Sequence, residues 1–329
     1  MAAPGSPLVT DFSMLASTTW RKHGKKIQDN LSAHNPLLNA IDRKGLKRVE
    51  NGGLSIVVPL DYQANGTYQR YSGYDTLNIS ASDVITSAEF QWRSIALNIV
   101  ASGQELRINN GDSAFINLMK AKIVNAQRTA RNNFSADIWS DGTLPNQING
   151  LQALVPDTNT AGTVGQINCA TWPFWQTKTS KRSAPLGTGV ITTLDSTTIE
   201  RAFRGLYTAL VRGDDMVDLI VADQLLFNTF EDSQVSLKRY VDDKSAQAGF
   251  LKLRFKNAEV IFEGSANIPP NHAYFLNTDY FELVVHSQAD WTENAEIKPY
   301  NMDAAVVPIL WMGNLVVKNR SLQGVFISD

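Results

Sequence analysis

The chain has 329 residues, 43% hydrophobic and 19% charged, which fits a folded protein of roughly two domains and excludes a disordered one. A formal net charge of -2 gives no global pull toward nucleic acid or anionic membrane, so any such role must come from local patches. One cysteine, Cys169, excludes an internal disulfide framework and a multi-cysteine zinc site, and as a single thiol it reads as a small buried hydrophobe.

The opening residues, MAAPGSPLVTDFSML, lack a basic start followed by an apolar run, so no secretory signal is expected. The longest strongly apolar run, AAVVPILWM at 304–312, falls short of the ~20 residues that span a bilayer, and Pro308 interrupts it. No membrane role is expected. Residues 1–48 form a lopsided N-terminal segment. Between Arg21 and Arg48, the cations Arg21, Lys22, Lys25, Lys26, Arg43, Lys44, Lys47 and Arg48 stand against Asp29 and Asp42, a local balance of +6. Two readings stay open: a solvated helix face or arm, or a surface for phosphates.

At 51–80 the stretch NGGLSIVVPLDYQANGTYQRYSGYDTLNIS reads as two strands around an Asn65-Gly66 hairpin turn. Leu54, Ile56, Val58 and Leu60 alternate with Ser55, Val57, Pro59 and Asp61. Tyr68, Tyr71 and Tyr74 follow on the return side, and Pro59, which cannot donate to a ladder, suggests an edge strand. The stretch shows no apolar face that would seat it on a core. A lone hairpin is at best marginally stable in water, so something outside it must hold it. Alternation resumes at Ala88, Phe90 and Trp92 and then shifts phase to Ile95, Leu97 and Ile99, which predicts a bulge or bend.

From Asp112 to about Asp141 the positions Phe115, Met119, Ile123, Ala126, Ala130, Phe134 and Ile138 recur at steps of three and four. They predict a helix about 45 Å long that ends at Gly142. Residues 141–155 are turn-rich, and 156–190, rich in Thr, Gly, Asn and Pro, read as an exposed connection. A helix with a Thr197-x-x-Glu200 capping box then carries Ile199, Phe203, Leu206 and Leu210 on one face. VDLIVAD at 217–223 is a buried strand, followed by a short helix, a polar loop at 239–249, and a strand with Leu251, Leu253 and Phe255. Beyond Asn271 the pattern is strand after strand.

A search for chemistry finds no phosphate loop, dinucleotide fingerprint, nucleophile elbow or zinc helix. Asp214-Asp215 and Asp242-Asp243 lie in predicted turns, where Asp bonds local backbone. His23, His34, His272 and His286 have no ligand spacing.

The order of parts carries more than any single motif. With SGQELRINNGDSAFINLMKAKIVNAQRTARNNFSADIWSDGT as spine and NGLQALV after it, the chain resembles the major capsid proteins of tailed bacteriophages, the Hong Kong 97-like family. AQAGFLKLRFKNAEVIF, HAYFLNTDYFEL and ILWMGNLVVKNRSLQGVFI extend the likeness over nearly the whole chain. The resemblance implies an α+β fold with an N-terminal arm at 1–48 and an extended β-hairpin loop at 49–88. A peripheral domain at 89–155 and 276–329 would hold the spine helix, about 112–141, and an axial α+β domain would occupy 156–275.

It further implies a non-enzymatic protein without cofactor, metal or catalytic residues, which self-assembles into hexamers and pentamers of an icosahedral shell. Noncovalent contacts between subunits would be made by the N-terminal arm and by the loop, through Leu54, Ile56, Val58, Tyr62, Asn65, Gly66, Tyr68, Tyr71 and Tyr74. Arg21, Lys22, Lys25 and Lys26 are the candidates for facing packaged double-stranded DNA, as are Lys120, Lys122, Arg128 and Arg131 on the spine. The location implied is the virion, with assembly in the host bacterial cytoplasm, and the further partners are a scaffolding protein and a portal. Some members cross-link the loop through a lysine, but this chain has none from Arg48 through Met119, so a noncovalent shell is expected. With 48 residues ahead of the loop, a separate scaffolding protein is expected too. The alternatives are an encapsulin-like nanocompartment around a cargo enzyme and a small-molecule enzyme of α+β fold.

Overall fold

The computed structural model describes residues 36–108, 112–234, 253–263 and 267–329. In chain order these form α1 (Pro36–Arg43), β1 (Lys47–Glu50), β2 (Ile56–Asp61), β3 (Ile85–Phe90), β4 (Arg93–Ser102), α2 (Gly103–Ile108) and α3 (Asp112–Ile138). Then come α4 (Leu151–Leu154), β5 (Thr163–Val164), β6 (Ile167–Asn168), β7 (Lys178–Lys181), α5 (Ile199–Leu210), β8 (Leu219–Ala222), α6 (Gln224–Ser233), β9 (Leu253–Phe255) and β10 (Ala258–Phe262). The chain closes with β11 (His272–Leu276), β12 (Phe281–His286), β13 (Thr292–Glu293), β14 (Ala304–Val317) and β15 (Gly324–Ile327). The polar loop at 239–249, Leu251 and Asp242-Asp243 lie outside the described residues.

Continuous burial marks strands covered on both faces, and the central strands β11 and β8 of the six-stranded sheet, ordered β7-β15-β11-β8-β10-β9, are of this kind. Successive side chains point to opposite faces, so each central strand feeds two cores. Leu219, Val221, Tyr274, Leu276 and Val325 belong to one, and Ile220, Ala222, Ala273, Phe275 and Phe326 to the other. The apolar faces of α5 and α6 cover the second. At its centre Phe203 meets the rings of Phe230, Phe255, Phe275 and Phe326 at centroid distances of 5.1–5.9 Å. Gly205 lets a loop lie against α5, since a Cβ there would sit 1.9 Å from the carbonyl oxygen of Leu186. The capping box does not form. Asp195 Oδ1 accepts from the backbone N–H groups of Thr197 and Thr198 at 2.9 and 3.0 Å, and this Asx turn takes over the start of α5. Glu200 instead accepts from Gln234.

The second sheet has five strands, ordered β1-β12-β14-β13, with β4 paired to β14 over Arg93–Ser102. Alternation along β14 buries Ala305, Val307, Ile309 and Trp311, and Pro308 is accommodated within the strand. The long helix α3 is confirmed as a rod of 27 residues, about 40 Å. Ile123, Ala126, Ala130, Phe134 and Ile138 form its buried stripe, and Phe134 meets the edge of Trp311 at 4.9 Å. It stops at Ile138, ahead of Gly142, because Trp139 turns inward and is fully buried while the N–H groups of Trp139 and Ser140 close a tighter last turn on Ala136 and Asp137. The phase shift after Phe90 is the passage from β3 to β4, from one sheet into another.

Two expectations are corrected. The segment at 156–190 is not an exposed connection: Cys169, Trp175, Thr177 and Ser180 are buried, and β7 pairs in parallel with β15. What draws it inward is Arg320, fully buried, which donates to the carbonyls of Leu154 (2.8 Å) and Trp175 (3.0 Å) and to Cys169 Sγ (2.8 Å). Burial holds this guanidinium's pKa below its ordinary value, although the thiol opposes the shift. The basic run is corrected at its second half. Lys44 reaches Asp218 and Asp279 at 2.6 Å, Lys47 reaches Asp290 at 2.6 Å, Arg43 reaches Glu259, and Arg48 reaches Glu50 and Glu282. These four cations are matched by the chain's own carboxylates, brought there by α1, with Leu37 and Ile41 buried, and by β1, which pairs in parallel with β12. β15 lies in the same sheet as β7 to β11, and β1 spans Lys47–Glu50.

Candidate functional site

The feature that departs most from a self-contained fold is the ribbon at 56–90 and the loop it carries. β2 pairs antiparallel with β3, Ile56 opposite Phe90, Val58 opposite Ala88 and Asp61 opposite Ile85. The return strand is therefore 85–90, and the reversal is the whole segment 62–84, not the expected two-residue turn. The cause is legible in the composition. Residues 63–84 offer no second alternating apolar set, whereas Ala88 and Phe90 can share the face of Ile56, Val58 and Leu60, and all five are buried. So the ribbon does possess a core-facing side, contrary to expectation.

Within the loop, backbone groups are satisfied by side chains in place of a ladder. Asn65 Oδ1 accepts from Thr67 N–H at 2.9 Å and Thr67 Oγ1 at 2.7 Å, and Gly66 N–H donates to Ser82 Oγ. Gln69 donates to the Thr76 carbonyl and accepts from Asn78 N–H, and Asp75 accepts from Ser72 N–H. The Asn-Gly pair serves an Asx turn inside the loop.

This sorts the expected contact residues. Ile56 and Val58, 0% and 1% exposed, spend their side chains on the chain's own core and have none to offer a neighbour. Tyr62 packs on Trp172 and Phe174, with ring centroids 5.8 and 5.6 Å away. Asn65 and Gly66 hold the loop's shape. Leu54, Tyr68, Tyr71 and Tyr74 stand in solvent, Tyr74 and Leu54 completely. Three further apolar side chains join them: Leu77, Ile79 (92% exposed) and Ile85. Their signal in the sequence was a short apolar pair in a polar stretch with no periodic partner. Arg21, Lys22, Lys25 and Lys26 lie outside the described residues. On the spine, Lys122 is tied to Glu105 at 2.7 Å and to the Val100 carbonyl, while Arg128 faces solvent.

Beside the ribbon's base lies a groove of 420 Å³ between β3 and the 166–174 segment. Tyr62, Trp172, Phe174 and Ile85 form its largely apolar walls, and Asp83 and Glu89 are its two carboxylates. Glu89 accepts from Gln166 at 3.2 Å.

Elsewhere, Asp215 takes part in a turn with Arg212 and accepts from Tyr280 Oη at 2.8 Å. His272 faces Asp157 at 3.1 Å, and His286 meets the edge of Trp92. His23 and His34 lie outside the described residues. Among the described residues no three His, Cys, Asp or Glu side chains gather as metal ligands, and no helix is long and apolar enough to cross a membrane.

No family model matches the chain, and no curated protein matches it. Solved structures do. It is similar to a chain of the cyanophage A-1(L) capsid asymmetric unit, with a TM-score of 0.62 and 16% identity over 87% of this chain and 92% of that one. It is similar to the capsid of Myoviridae phage XM1, with a TM-score of 0.52 and 11% identity over 88% and 92% of the two chains. The capsid of a native GTA particle gives a TM-score of 0.51 and 12% identity over 87% and 89%. The likeness covers 87% of the chain, which therefore has the α+β, Hong Kong 97-like capsid fold.

Proposed function

We propose that this chain is the repeating subunit of a tailed-bacteriophage head shell, assembling noncovalently into hexamers and pentamers that enclose double-stranded DNA. The observation that carries the reading is the loop at 62–84, raised on a ribbon whose base is buried and bearing Tyr68, Tyr71, Tyr74 and Ile79 in solvent. Scattered apolar side chains on a surface need no explanation, but a projecting loop that concentrates them does. In a neighbour's grip each would be withdrawn from water, at about 25 cal/mol per Å² of apolar surface. Head-to-tail contacts of this kind close into rings when the rotation permits. The capsid fold and the absence of lysine from Arg48 through Met119 support a shell held without covalent links. A scaffolding protein and a portal are its expected partners, and the virion, assembled in the bacterial cytoplasm, its expected place.

Electron microscopy of the purified protein tests this directly, and closed particles are expected. Excising residues 64–82 while leaving β2 and β3 intact should give a folded protein that makes no closed particles. Full-sized shells from that variant, or a wild-type chain that elutes as a ~36 kDa monomer, would overturn the reading. Particle contents separate a phage head, which holds nucleic acid, from a nanocompartment, which holds protein.

A further inference from the structure

The groove beside the ribbon has firmly held walls. Trp172 and Phe174 stand on a pinned stretch of backbone: the Trp172 N–H donates to the Asn168 carbonyl at 3.1 Å, and the buried Trp175 sends its indole N–H to the Val164 carbonyl at 2.9 Å. On the ribbon, the Tyr62 N–H donates to the Val84 carbonyl at 3.1 Å, and the Glu89 N–H ties β3 to the Gly165 carbonyl at 3.0 Å. The rings meet at angles, Trp172 at 80° to Tyr62 and 68° to Phe174, and Trp172 keeps 45% of its surface in solvent. Asp83 and Glu89 share this lining with no Lys, Arg or His, and among the described residues neither carboxylate is in an ion pair.

Rings and carboxylates act here in the same sense, because an aromatic face is electronegative and attracts a cation as a carboxylate does. An anion would be repelled, and an uncharged apolar ligand would strip water from the carboxylates without replacing it. A hard metal ion takes about six to eight oxygen ligands and has no use for rings. A primary ammonium is a compact, strongly hydrated charge that would engage the carboxylates alone. Methyl groups on the nitrogen change this, since they spread the charge over carbon that can rest on the ring faces. The volume of 420 Å³ lies within the range of about 300–1,000 Å³ usual for small-ligand sites. We infer that the groove binds a methylated ammonium ion of the choline type, with its N-methyl groups on Tyr62, Trp172 and Phe174 and its charge toward Asp83 and Glu89.

Titration of the full-length protein, followed by saturation-transfer NMR of the ligand protons, tests this with three related molecules. Choline carries both charge and methyl groups, dimethylbutanol replaces its nitrogen by carbon and so loses the charge, and ethanolamine keeps the charge without the methyls. Choline should bind at least about tenfold more tightly than either. Trp172→Leu, which keeps apolar bulk but removes the ring face, should weaken choline about tenfold, as should Asp83→Asn combined with Glu89→Gln, with the far-ultraviolet circular dichroism of wild type retained in each. Asp83→Asn alone, at an exposed position, keeps the test decisive if the double variant fails to fold. Dimethylbutanol binding as tightly as choline would make the groove merely apolar, and ethanolamine binding as tightly would make it a point-charge site; either overturns the proposal. So would choline that does not bind wild type, or that binds the folded variants unchanged. The groove is formed within one chain, so this outcome is separate from whether that chain builds a shell.

Discussion

From Leu219 to Ala222 every side chain of β8 is buried, whereas at 62–84 Tyr68, Tyr74 and Ile79 stand almost wholly in water. The two regions also settle their backbone differently. β8 is paired on both edges, with β10 and β11, while the loop relies on Asn65, Gln69, Asp75 and Asn78 side chains to reach its N–H and carbonyl groups. A strand like β8 stabilises the chain that contains it. The loop holds a shape but withdraws little apolar surface from water, so its side chains contribute to stability only when another molecule covers them.

The sharpest way to break this contrast is to open the sheet's inner core. Phe203→Ala should cost about 3–5 kcal/mol, the usual range for a fully buried aromatic, because four rings lose their common neighbour. Denaturant unfolding of the subunit measures it, and a loss below about 1 kcal/mol would mean the ring cluster is not the packed centre of the sheet. Gly205→Ala comes next, at roughly 1–3 kcal/mol, since the new methyl meets a backbone carbonyl that can retreat only by moving the loop at Leu186. A neutral result there would show that this loop is free to shift.

At the other pole, replacing Tyr68, Tyr71 and Tyr74 together by Ser should change subunit stability by no more than about 0.5 kcal/mol, as expected for exposed positions. Assembly should suffer nonetheless, read as particle yield by sedimentation. Unaltered yield would move the contact to Leu54, Leu77, Ile79 and Ile85, and a large stability loss would mean the tyrosines already have partners within their own chain.

How much of this could be read from sequence follows the same division. Elements with a local apolar period were legible: α3 from Ile123 to Ile138, α5 from Ile199 to Leu210, β8 as a continuous run. Features fixed by distant partners were not. The true mate of β2 is β3, and a nearby Asn-Gly pair with tyrosines behind it imitated a hairpin turn more convincingly than a strand some twenty-five residues away. Lys44 and Lys47 looked like part of a free basic run because Asp279 and Asp290, their partners, lie more than two hundred residues along the chain. Asp195 displaced the Thr197–Glu200 box for a more local reason: an Asx turn two residues earlier takes the Thr197 N–H that the Glu200 side chain would have capped. At the loop, the exposed tyrosines were found because nothing in sequence offered them a core. Ile56 and Val58 are buried in their own chain, on a face completed by Ala88 and Phe90 about thirty residues on, which their local alternation did not reveal.

The smallest expected effect joins the two regimes, at a half-covered ion pair where the segment after α4 meets β11. His272 Nδ1 lies 2.7 Å from the Pro270 carbonyl and donates to it, so a neutral ring would turn the lone pair of Nε2 toward Asp157 Oδ1, 3.1 Å away. Burial disfavours the imidazolium, but the hydrogen bonds to Asp157 and Pro270, with the charges of Asp157 and Asp223, outweigh it and raise the pKa above 6.5. Asp157 is held below its ordinary value, first by the hydrogen bond from His272 and then, against burial, by the charges of His272 and Lys181. Tyr274, stacked on the imidazole, stays protonated across this range because burial pushes its pKa up. A raised histidine pKa stabilises the fold fully below the unfolded value of about 6.5 and ceases to do so as pH climbs through the folded one. The depressed aspartate stabilises above about 3.9 and is lost as pH falls through its folded value. The pair therefore contributes most between about pH 4 and 6.5, by a few tenths of a kcal/mol because Asp157 is 56% exposed. His272→Gln should flatten the decline in Tm between pH 6 and 8 relative to wild type; parallel declines would show that the ion pair is absent in solution.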